Sequence, residues 1–415
     1  MNFKGIFNSS NCFLIKYAFL KKSNLLFNHQ LQLSMNSKPN LSILNISLTS
    51  GGAEKVISLL LKELVNDYNV TLFLFYNVVH FDIPKGVNTI VFNQSHPDQP
   101  VHNKFFHSIS FLYQYNQHLK KEKIDYAISF LAFPNLINGI AAILNPRIKM
   151  FVSERGFPSD NTTSKLSLFI SKIFYPLLYN RCYKLFSNSV YINHDLENNF
   201  GIKIPMEVIY NPIELPENKI DSSKYRNRKG SLQIINVGSL NPRKNQSMII
   251  EAASNLKDDS ELTILGQGHY MEKLKQLAKE KEMELRVHLN GKVKNVNDYL
   301  AKSDCFVLSS NTEGFPNALL EAMASGLPCI STNCLSGPLE LLNDDNTVDI
   351  PKGGFFLAKY GVLINNNDTV GLTKAIMYFK NNPSVMEEYS KLSIERAKEY
   401  ELKSIYSKFN TFITS

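Results

Sequence analysis

From residue 40 onward, short apolar runs alternate with longer segments in which apolar residues recur every three or four positions. The first kind predicts strands buried on both faces, the second amphipathic helices. In the first half, strands are expected at 41–46, 70–75, 89–92, 126–130, 148–153, 184–187 and 207–209. Helices are expected at 53–66, 105–122, 134–144, 165–180 and 189–199, the first with Val56, Leu59, Leu60 and Leu64 at helical spacing. Asn211-Pro212 and the polar run 216–230 then read as a linker. A second series follows, with strands at 232–237, 261–265, 285–289, 304–308, 328–331 and 361–364. Its helices are expected at 244–256, 269–281, 295–302, 316–325 and 368–380, and the tail 383–412 is helical and charged. Repeated strand–helix units imply parallel sheets covered by helices on both faces. The expected fold is therefore α/β, two doubly wound Rossmann-like domains facing a central cleft, with ligands beyond the carboxyl ends of the strands. The boundaries drawn are an N-terminal extension (1–39), a first domain (40–212), a linker (213–230), a second domain (231–382) and C-terminal helices (383–415).

One stretch, SSNTEGFPNALLEAMASGLPCIST (309–332), concentrates chemistry. An apolar strand runs into a polar loop holding Glu313 and Gly314. Pro316 stands where a helix begins, with φ preset and no N–H to lose. Glu321 follows about a turn and a half inside. The positions sharing its face, Asn317, Ala318, Ala324 and Ser325, are small or polar, which leaves room for a ligand against the carboxylate. A solvated surface Glu is the plain alternative. The helix is short, however, and its free N–H groups and positive dipole end point at the loop, which makes an anion site. The string Glu-Gly-Phe-Pro-Asn-Ala-Leu-Leu-Glu closely resembles the E-x7-E signature of the retaining GT-B glycosyltransferases of family four (glycosyl transferases group 1). The following Ala-Met-Ala-Ser-Gly-Leu-Pro-Cys-Ile-Ser-Thr strengthens the match.

Composition narrows the field. Apolar and charged fractions of 44% and 20% are ordinary for a globular chain and exclude wholesale disorder. The five cysteines, Cys12, Cys182, Cys305, Cys329 and Cys334, show no CxxC spacing, which favours reduced thiols over a disulfide framework or a zinc site. The net charge of +8 hides an asymmetry, since residues 1–34 carry Lys4, Lys16, Lys21 and Lys22 and no acid. The apolar run in that stretch is too short for a membrane span. It is expected to be poorly structured or not translated, with Met35 as the start; a basic membrane-surface anchor is the alternative. No other segment reaches eighteen apolar residues in a row, so no transmembrane helix is expected. No aromatic–basic ladder or known module points to nucleic acid.

Further candidates stand at strand ends. Strand 232–237 ends in Gly-Ser-Leu-Asn-Pro-Arg243-Lys244, two adjacent cations that suit a diphosphate: arginine offers a planar fork, lysine a point charge. A solvated basic turn is the alternative. Family resemblance implies that Arg243 and Lys244 grip the nucleotide diphosphate of a sugar donor. It also implies that Glu321 binds the ribose hydroxyls and that Glu313 lies near the donor sugar, with Gly314, Phe315, Pro316, Asn317 and Ala318 lining the donor site. Lys292 and Val293, after strand 285–289, match the place where relatives contact the base through backbone atoms. In the first domain, Ser50-Gly51-Gly52-Ala53-Glu54 opens a helix. Paired glycines let the backbone come close to a ligand, although a plain turn is equally open. In the family this loop faces the cleft, so Gly51 and Gly52 are donor-site candidates. Ser153-Glu154-Arg155-Gly156-Phe157-Pro158 resembles the S-E-R-x-x-P of relatives that build bacterial surface glycans. Glu154 and Arg155 are thus acceptor-side candidates, or only a local ion pair. The chain contains no Asp-x-Asp, so no metal and no cofactor is expected, and Arg/Lys would neutralise the diphosphate.

The resemblance covers residues 40–410 and implies a GT-B arrangement with an acceptor-side first domain, a donor-side second domain and a last helix crossing back. It implies transfer of a sugar, with retention, from a nucleotide sugar to a glycan or polyprenyl-diphosphate-linked acceptor in polysaccharide, lipopolysaccharide or capsule biosynthesis. Asn333-Cys334-Leu335-Ser336-Gly337-Pro338-Leu339-Glu340 resembles the N-C-x-S-G-P-x-E of relatives that use such lipid-linked acceptors, and points to a UDP-hexosamine or UDP-hexose. Residues 164–186 carry Lys165, Lys172, Arg181 and Lys184 among aromatic and aliphatic side chains, with no acid. They read either as a helix with its apolar face in the core or as a surface for an anionic inner membrane. The expected location is cytoplasmic, peripheral on the membrane in the second case. A non-catalytic GT-B scaffold of a glycan-assembly complex and a nucleotide-sugar epimerase are the competing functions.

Overall fold

A computed structural model describes residues 38–93, 101–160, 165–226, 228–256 and 260–415. The expectation for residues 1–34 lies outside the described residues. The apolar runs form two seven-stranded sheets. The first comprises β1 (Asn40–Asn45), β2 (Asn69–Tyr76), β3 (Asn88–Asn93), β4 (Tyr126–Phe130), β5 (Lys149–Glu154), β6 (Lys184–Ser187) and β7 (Met206–Val208). It is parallel throughout, in the order β3-β2-β1-β4-β5-β6-β7.

The second sheet comprises β8 (Leu232–Val237), β9 (Ser260–Leu265), β10 (Val287–Gly291), β11 (Cys305–Leu308), β12 (Cys329–Thr332), β13 (Phe355–Ala358) and β14 (Gly361–Ile364). Its order is β10-β9-β8-β11-β12-β14-β13, parallel except for β13. Central strands such as β11 and β12 are buried at every residue, because helices cover both faces. The expected doubly wound α/β fold is the one observed. Among the parallel strands of each sheet the order reverses at one point, between β1 and β4 and between β8 and β11. Connections leave in opposite directions there, which opens a crevice at the carboxyl ends.

The C-terminal helices tie the two sheets together. Helix Pro383–Lys398 packs on helix Asn317–Ser325, with Ser390 Oγ donating to the Gly326 carbonyl at 2.7 Å and Ser393 Oγ to that of Leu327 at 2.9 Å. The chain then crosses through backbone bonds from Ile213 N–H to the Tyr400 carbonyl and from Leu402 N–H to the Ile213 carbonyl. Helix Leu402–Thr414 lies against helix Gly52–Asp67, where Tyr406 OH donates to Asp67 and Tyr68 OH to Asn410.

Several elements differ in detail from the sequence reading. The helix expected from 244 starts at Gln246, after a 3-10 turn, Pro242–Lys244. Asn245, at φ 48°, sits between them in the left-handed region that Asn tolerates. Pro316 stands just before helix Asn317–Ser325, at φ −81°, and provides no side-chain cap. Within the polar run 216–230, Ser222–Tyr225 forms a 3-10 turn that buries Tyr225 completely, its hydroxyl donating to the Asp304 carbonyl at 3.0 Å. Helix Pro338–Asn343 and the short antiparallel edge β13 went unforeseen, because each is too brief to show a period. Among the described residues no helix is long and apolar enough to cross a membrane.

Candidate active site

The crevices of the two sheets face each other and merge into one cleft of about 1050 Å³. Its second-sheet wall is built where β8 and β11 end. Strand β8 leads through Gly238 into the 3-10 turn, which delivers Arg243 and Lys244 to the cleft. Asn241 caps that turn by accepting the Lys244 N–H. Strand β11 leads into the loop holding Glu313. That carboxylate is 5% exposed, and its Oε1 accepts from Lys244 Nζ at 2.5 Å and from Ser310 Oγ at 2.6 Å. Ser309 Oγ fixes the lysine's backbone by donating to its carbonyl at 2.7 Å. A buried carboxylate held by a cation and a hydroxyl is a locked arrangement, because all three groups are paired. Arg243, by contrast, is exposed, with no side-chain partner among the described residues.

The Glu313 loop is braced from behind. Glu313 N–H donates to the Leu335 carbonyl at 2.8 Å, Ser336 N–H returns to the Glu313 carbonyl at 3.0 Å, and Ser336 Oγ donates to the Gly314 carbonyl at 2.6 Å. The Asn333–Glu340 string therefore supports this loop. Its last residue, Glu340, is 1% exposed and reaches the first sheet, accepting from Ser189 Oγ at 2.7 Å, Val190 N–H at 2.9 Å and Tyr210 OH at 3.3 Å. It caps helix Val190–Phe200 across the domain boundary; burial raises its pKa.

The first-sheet wall is built from backbone and small residues at the ends of β1 and β5. Gly51 and Gly52 line the cleft at the start of helix Gly52–Asp67, beside Lys55. Gly314 touches this wall so closely that a Cβ on it would stand 2.0 Å from the Arg155 carbonyl oxygen. Asn317 Nδ2 donates to the Gly52 carbonyl at 3.3 Å, and Asn211 Nδ2 donates to Asn317 Oδ1 at 2.6 Å. Across the opening, Lys55 Nζ donates to Glu321 Oε1 at 2.7 Å.

Of the residues singled out from the sequence, Gly51, Gly52, Arg155, Arg243, Lys244, Lys292, Val293, Glu313, Gly314, Phe315, Pro316, Asn317, Ala318 and Glu321 all line this one cleft. The face expected around Glu321 divides: Asn317 and Ala318 line the cleft, while Ala324 and Ser325 are buried. Glu154 and Arg155 also part company. Arg155 faces the cleft, its Nη1 donating to Asn211 Oδ1 at 2.9 Å and its guanidinium lying over Phe130 and Phe186. Glu154 turns into the core, where it accepts from Tyr179 OH at 3.2 Å, and burial pushes its carboxyl up to about 7. Lys55, Asn211 and Glu340 were missed as site residues. Lys55 had a signal, standing four positions after Gly51 on a helix that opens at the cleft; Asn211 and Glu340 had none beyond their motifs.

A cleft between two doubly wound sheets, with cations, two carboxylates and an uncapped helix start on one wall, is the arrangement of a GT-B protein. Comparison with known proteins agrees. The family described as Glycosyl transferases group 1 matches residues 217–399, and Glycosyltransferase Family 4 matches residues 50–216. The chain belongs to these GT-B glycosyltransferases. It is 28% identical over 363 residues to the N-acetylgalactosamine-N,N'-diacetylbacillosaminyl-diphospho-undecaprenol 4-alpha-N-acetylgalactosaminyltransferase of Campylobacter jejuni, covering 87% of this chain and 95% of that one. It is 30% identical over 238 residues to the UDP-Gal:alpha-D-GlcNAc-diphosphoundecaprenol alpha-1,3-galactosyltransferase of Escherichia coli, covering 52% and 59%. Among solved structures, lipopolysaccharide outer core galactosyltransferase WaaB superposes with a TM-score of 0.68 at 19% identity, over 91% of this chain and 99% of that one. Anabaena HepE, solved with UDP and glucose, gives 0.71 at 17% over the same shares.

Proposed function

We propose that the protein moves a hexose or N-acetylhexosamine from a UDP-sugar, with retention of configuration, to a polyprenyl-diphosphate-linked glycan during bacterial surface-polysaccharide assembly. The observation that carries this is the second-sheet wall, where Arg243, Lys244, Glu313 and the uncapped start of helix Asn317–Ser325 converge. As the sugar leaves, negative charge grows on the diphosphate and the anomeric carbon becomes cationic. Fixed cations and helix N–H groups stabilise that charge without reorganising. Arg243 and Lys244 take the diphosphate, with no metal required. Glu321 binds the ribose hydroxyls and shares its carboxylate with Lys55. Glu313, held by Lys244 and Ser310, addresses the reacting sugar. The lipid-linked acceptor is supported by the substrates named for the C. jejuni and E. coli relatives. An acceptor of that kind places the work at the cytoplasmic face of a membrane.

The test is incubation of the purified protein with a panel of UDP- and GDP-sugars, with and without a polyprenyl-diphosphate-linked glycan. Acceptor-dependent transfer from one UDP-sugar, giving an α-linked product from an α-linked donor, is expected. Epimerised donor formed without any acceptor, or no turnover with any donor and acceptor, would overturn the reading.

A further inference from the structure

Helix Lys165–Tyr179 carries Leu166, Phe169, Ile170, Ile173, Phe174 and Leu177, a single stripe at helical spacing. On a surface helix such a stripe normally faces the core. Here it faces outward, each of the six being between 43% and 67% exposed, while Tyr175, Leu178 and Tyr179 point inward. The neighbouring helix Ala132–Leu144 adds exposed Ile143 and Leu144 at its end. The inverted face is held rigidly: a Cβ on Gly139 would stand 2.6 Å from the Leu178 carbonyl oxygen, so the two helices are in backbone contact. Inside, Tyr179 OH bonds Glu154, the residue before the cleft-lining Arg155.

Charge selects the occupant. From Lys165 to Asn193 the chain has Lys165, Lys172, Arg181 and Lys184 and no Asp or Glu, and Arg147 is exposed just beyond Leu144. Lys184 is engaged with Ser415, which leaves Lys165, Lys172, Arg181 and Arg147 as an exposed cationic rim. Exposed Asp160 precedes the helix and exposed Glu197 lies on the adjoining helix Val190–Phe200, so the rim is predominantly cationic. An apolar stripe with such a rim suits an anionic bilayer, where apolar side chains enter the acyl boundary and the cations meet headgroups.

We infer that the outer face of helix Lys165–Tyr179 docks the protein on an anionic lipid surface. The purpose of that docking rests on the lipid-linked acceptor reading above. A connecting helix runs back from the carboxyl end of its strand. The end bearing Leu166 and Phe169 therefore lies toward the cleft side of the sheet, where a membrane-borne acceptor would enter.

The experiment is co-sedimentation of the full chain with phosphatidylcholine vesicles and with vesicles that also contain phosphatidylglycerol, with no donor or acceptor present. Its failure is thereby distinguishable from failure of the transferase reading. About tenfold tighter partition to the anionic vesicles is expected, weakening as salt rises. Phe169→Glu combined with Phe174→Glu should lower that partition at least about tenfold while UDP binding and melting temperature stay unchanged. Lys165→Glu with Lys172→Glu should abolish the preference for phosphatidylglycerol even if the phenylalanine variant folds poorly. Equal partition of native and charge-reversed chains would overturn the inference. So would a vesicle-free dimer, seen by light scattering, that the phenylalanine variant dissolves, because the stripe would then be a contact between copies.

Discussion

Two lysine–carboxylate pairs face the same cleft and are built in opposite ways. Lys244–Glu313 lies within the second sheet's own wall, closes at 2.5 Å, and has side-chain exposures of 19% and 5%. Lys55–Glu321 spans the two walls at 2.7 Å, with exposures of 37% and 21%. The first pair stays formed however the sheets move, and its carboxylate has given up water for Lys244 and Ser310. The second exists only while the walls are close and is screened by solvent. The inner pair is thus a fixed part of one wall, and the outer pair a contact that depends on how the cleft is closed.

The largest effect should come from breaking the inner pair. Lys244→Ala removes a cation proposed to hold the diphosphate and strands the buried Glu313, so kcat/KM should fall by about 10²-fold or more. Stability should fall too, by about 3–5 kcal/mol if the stranded carboxylate stays charged. Arg243→Ala, next to it but exposed, should lower kcat/KM by about 10²-fold and leave the melting temperature alone. Steady-state kinetics and thermal unfolding of both variants check this. Near-wild-type kcat/KM in both would remove the diphosphate assignment.

A third carboxylate, Glu154, has no lysine, and its burial outweighs its hydrogen bonds and the charge of Arg155. Its folded pKa of about 7 lies above its ordinary 4.5. The folded chain therefore holds the extra proton between those values. Glu154's contribution to stability is present below pH 4.5 and is lost as pH rises through 7. Glu154→Gln, which cannot ionise, should gain melting temperature relative to the native chain on going from pH 5 to pH 8. A difference that does not change with pH would place the titration elsewhere.

Each member of the inner pair was legible in the sequence because each sits in a local motif, whereas their contact, 69 positions apart, was not. Glu313 and Glu321 sit in one strand–loop–helix, and Arg243 and Lys244 directly follow another strand. The outer pair was only half legible: Glu321 had its motif, but its partner Lys55 lies 266 positions earlier. The Asn211–Asn317 bond and the reach of Glu340 to Ser189 and Val190 share that cause. Such contacts follow from how two separately wound sheets meet, which neither period nor propensity encodes. Helix Lys165–Tyr179 was found where expected, but the direction of its apolar face stayed open. Its period was plain, but period shows only that an apolar face exists, not whether that face looks inward.

Smaller effects should come from the outer pair. A double-mutant cycle on Lys55→Ala and Glu321→Ala should give a coupling of about 0.2–1 kcal/mol in the unfolding free energy, as for other solvent-screened pairs. Chemical denaturation of the four proteins measures it, and a coupling above about 2 kcal/mol would make the contact structural. The smallest effect should be that of EDTA. On the proposal that Arg243 and Lys244 carry the diphosphate charge, chelation should leave turnover unchanged. Loss of activity that only Mg²⁺ or Mn²⁺ restores would assign that charge to a metal.

The most direct test of the division between the pairs is full kinetics of Glu313→Gln against Glu321→Gln with a soluble acceptor analogue. On the proposed assignment Glu313 addresses the reacting sugar, where contacts tighten as charge develops, so its variant should lose about 10²-fold in kcat with the donor KM little changed. On the same assignment Glu321 holds a part of the donor that does not react. Its variant should raise the donor KM about tenfold and keep kcat within about threefold. The same kinetic pattern in both variants, or an unfolded Glu321→Gln, would contradict the account.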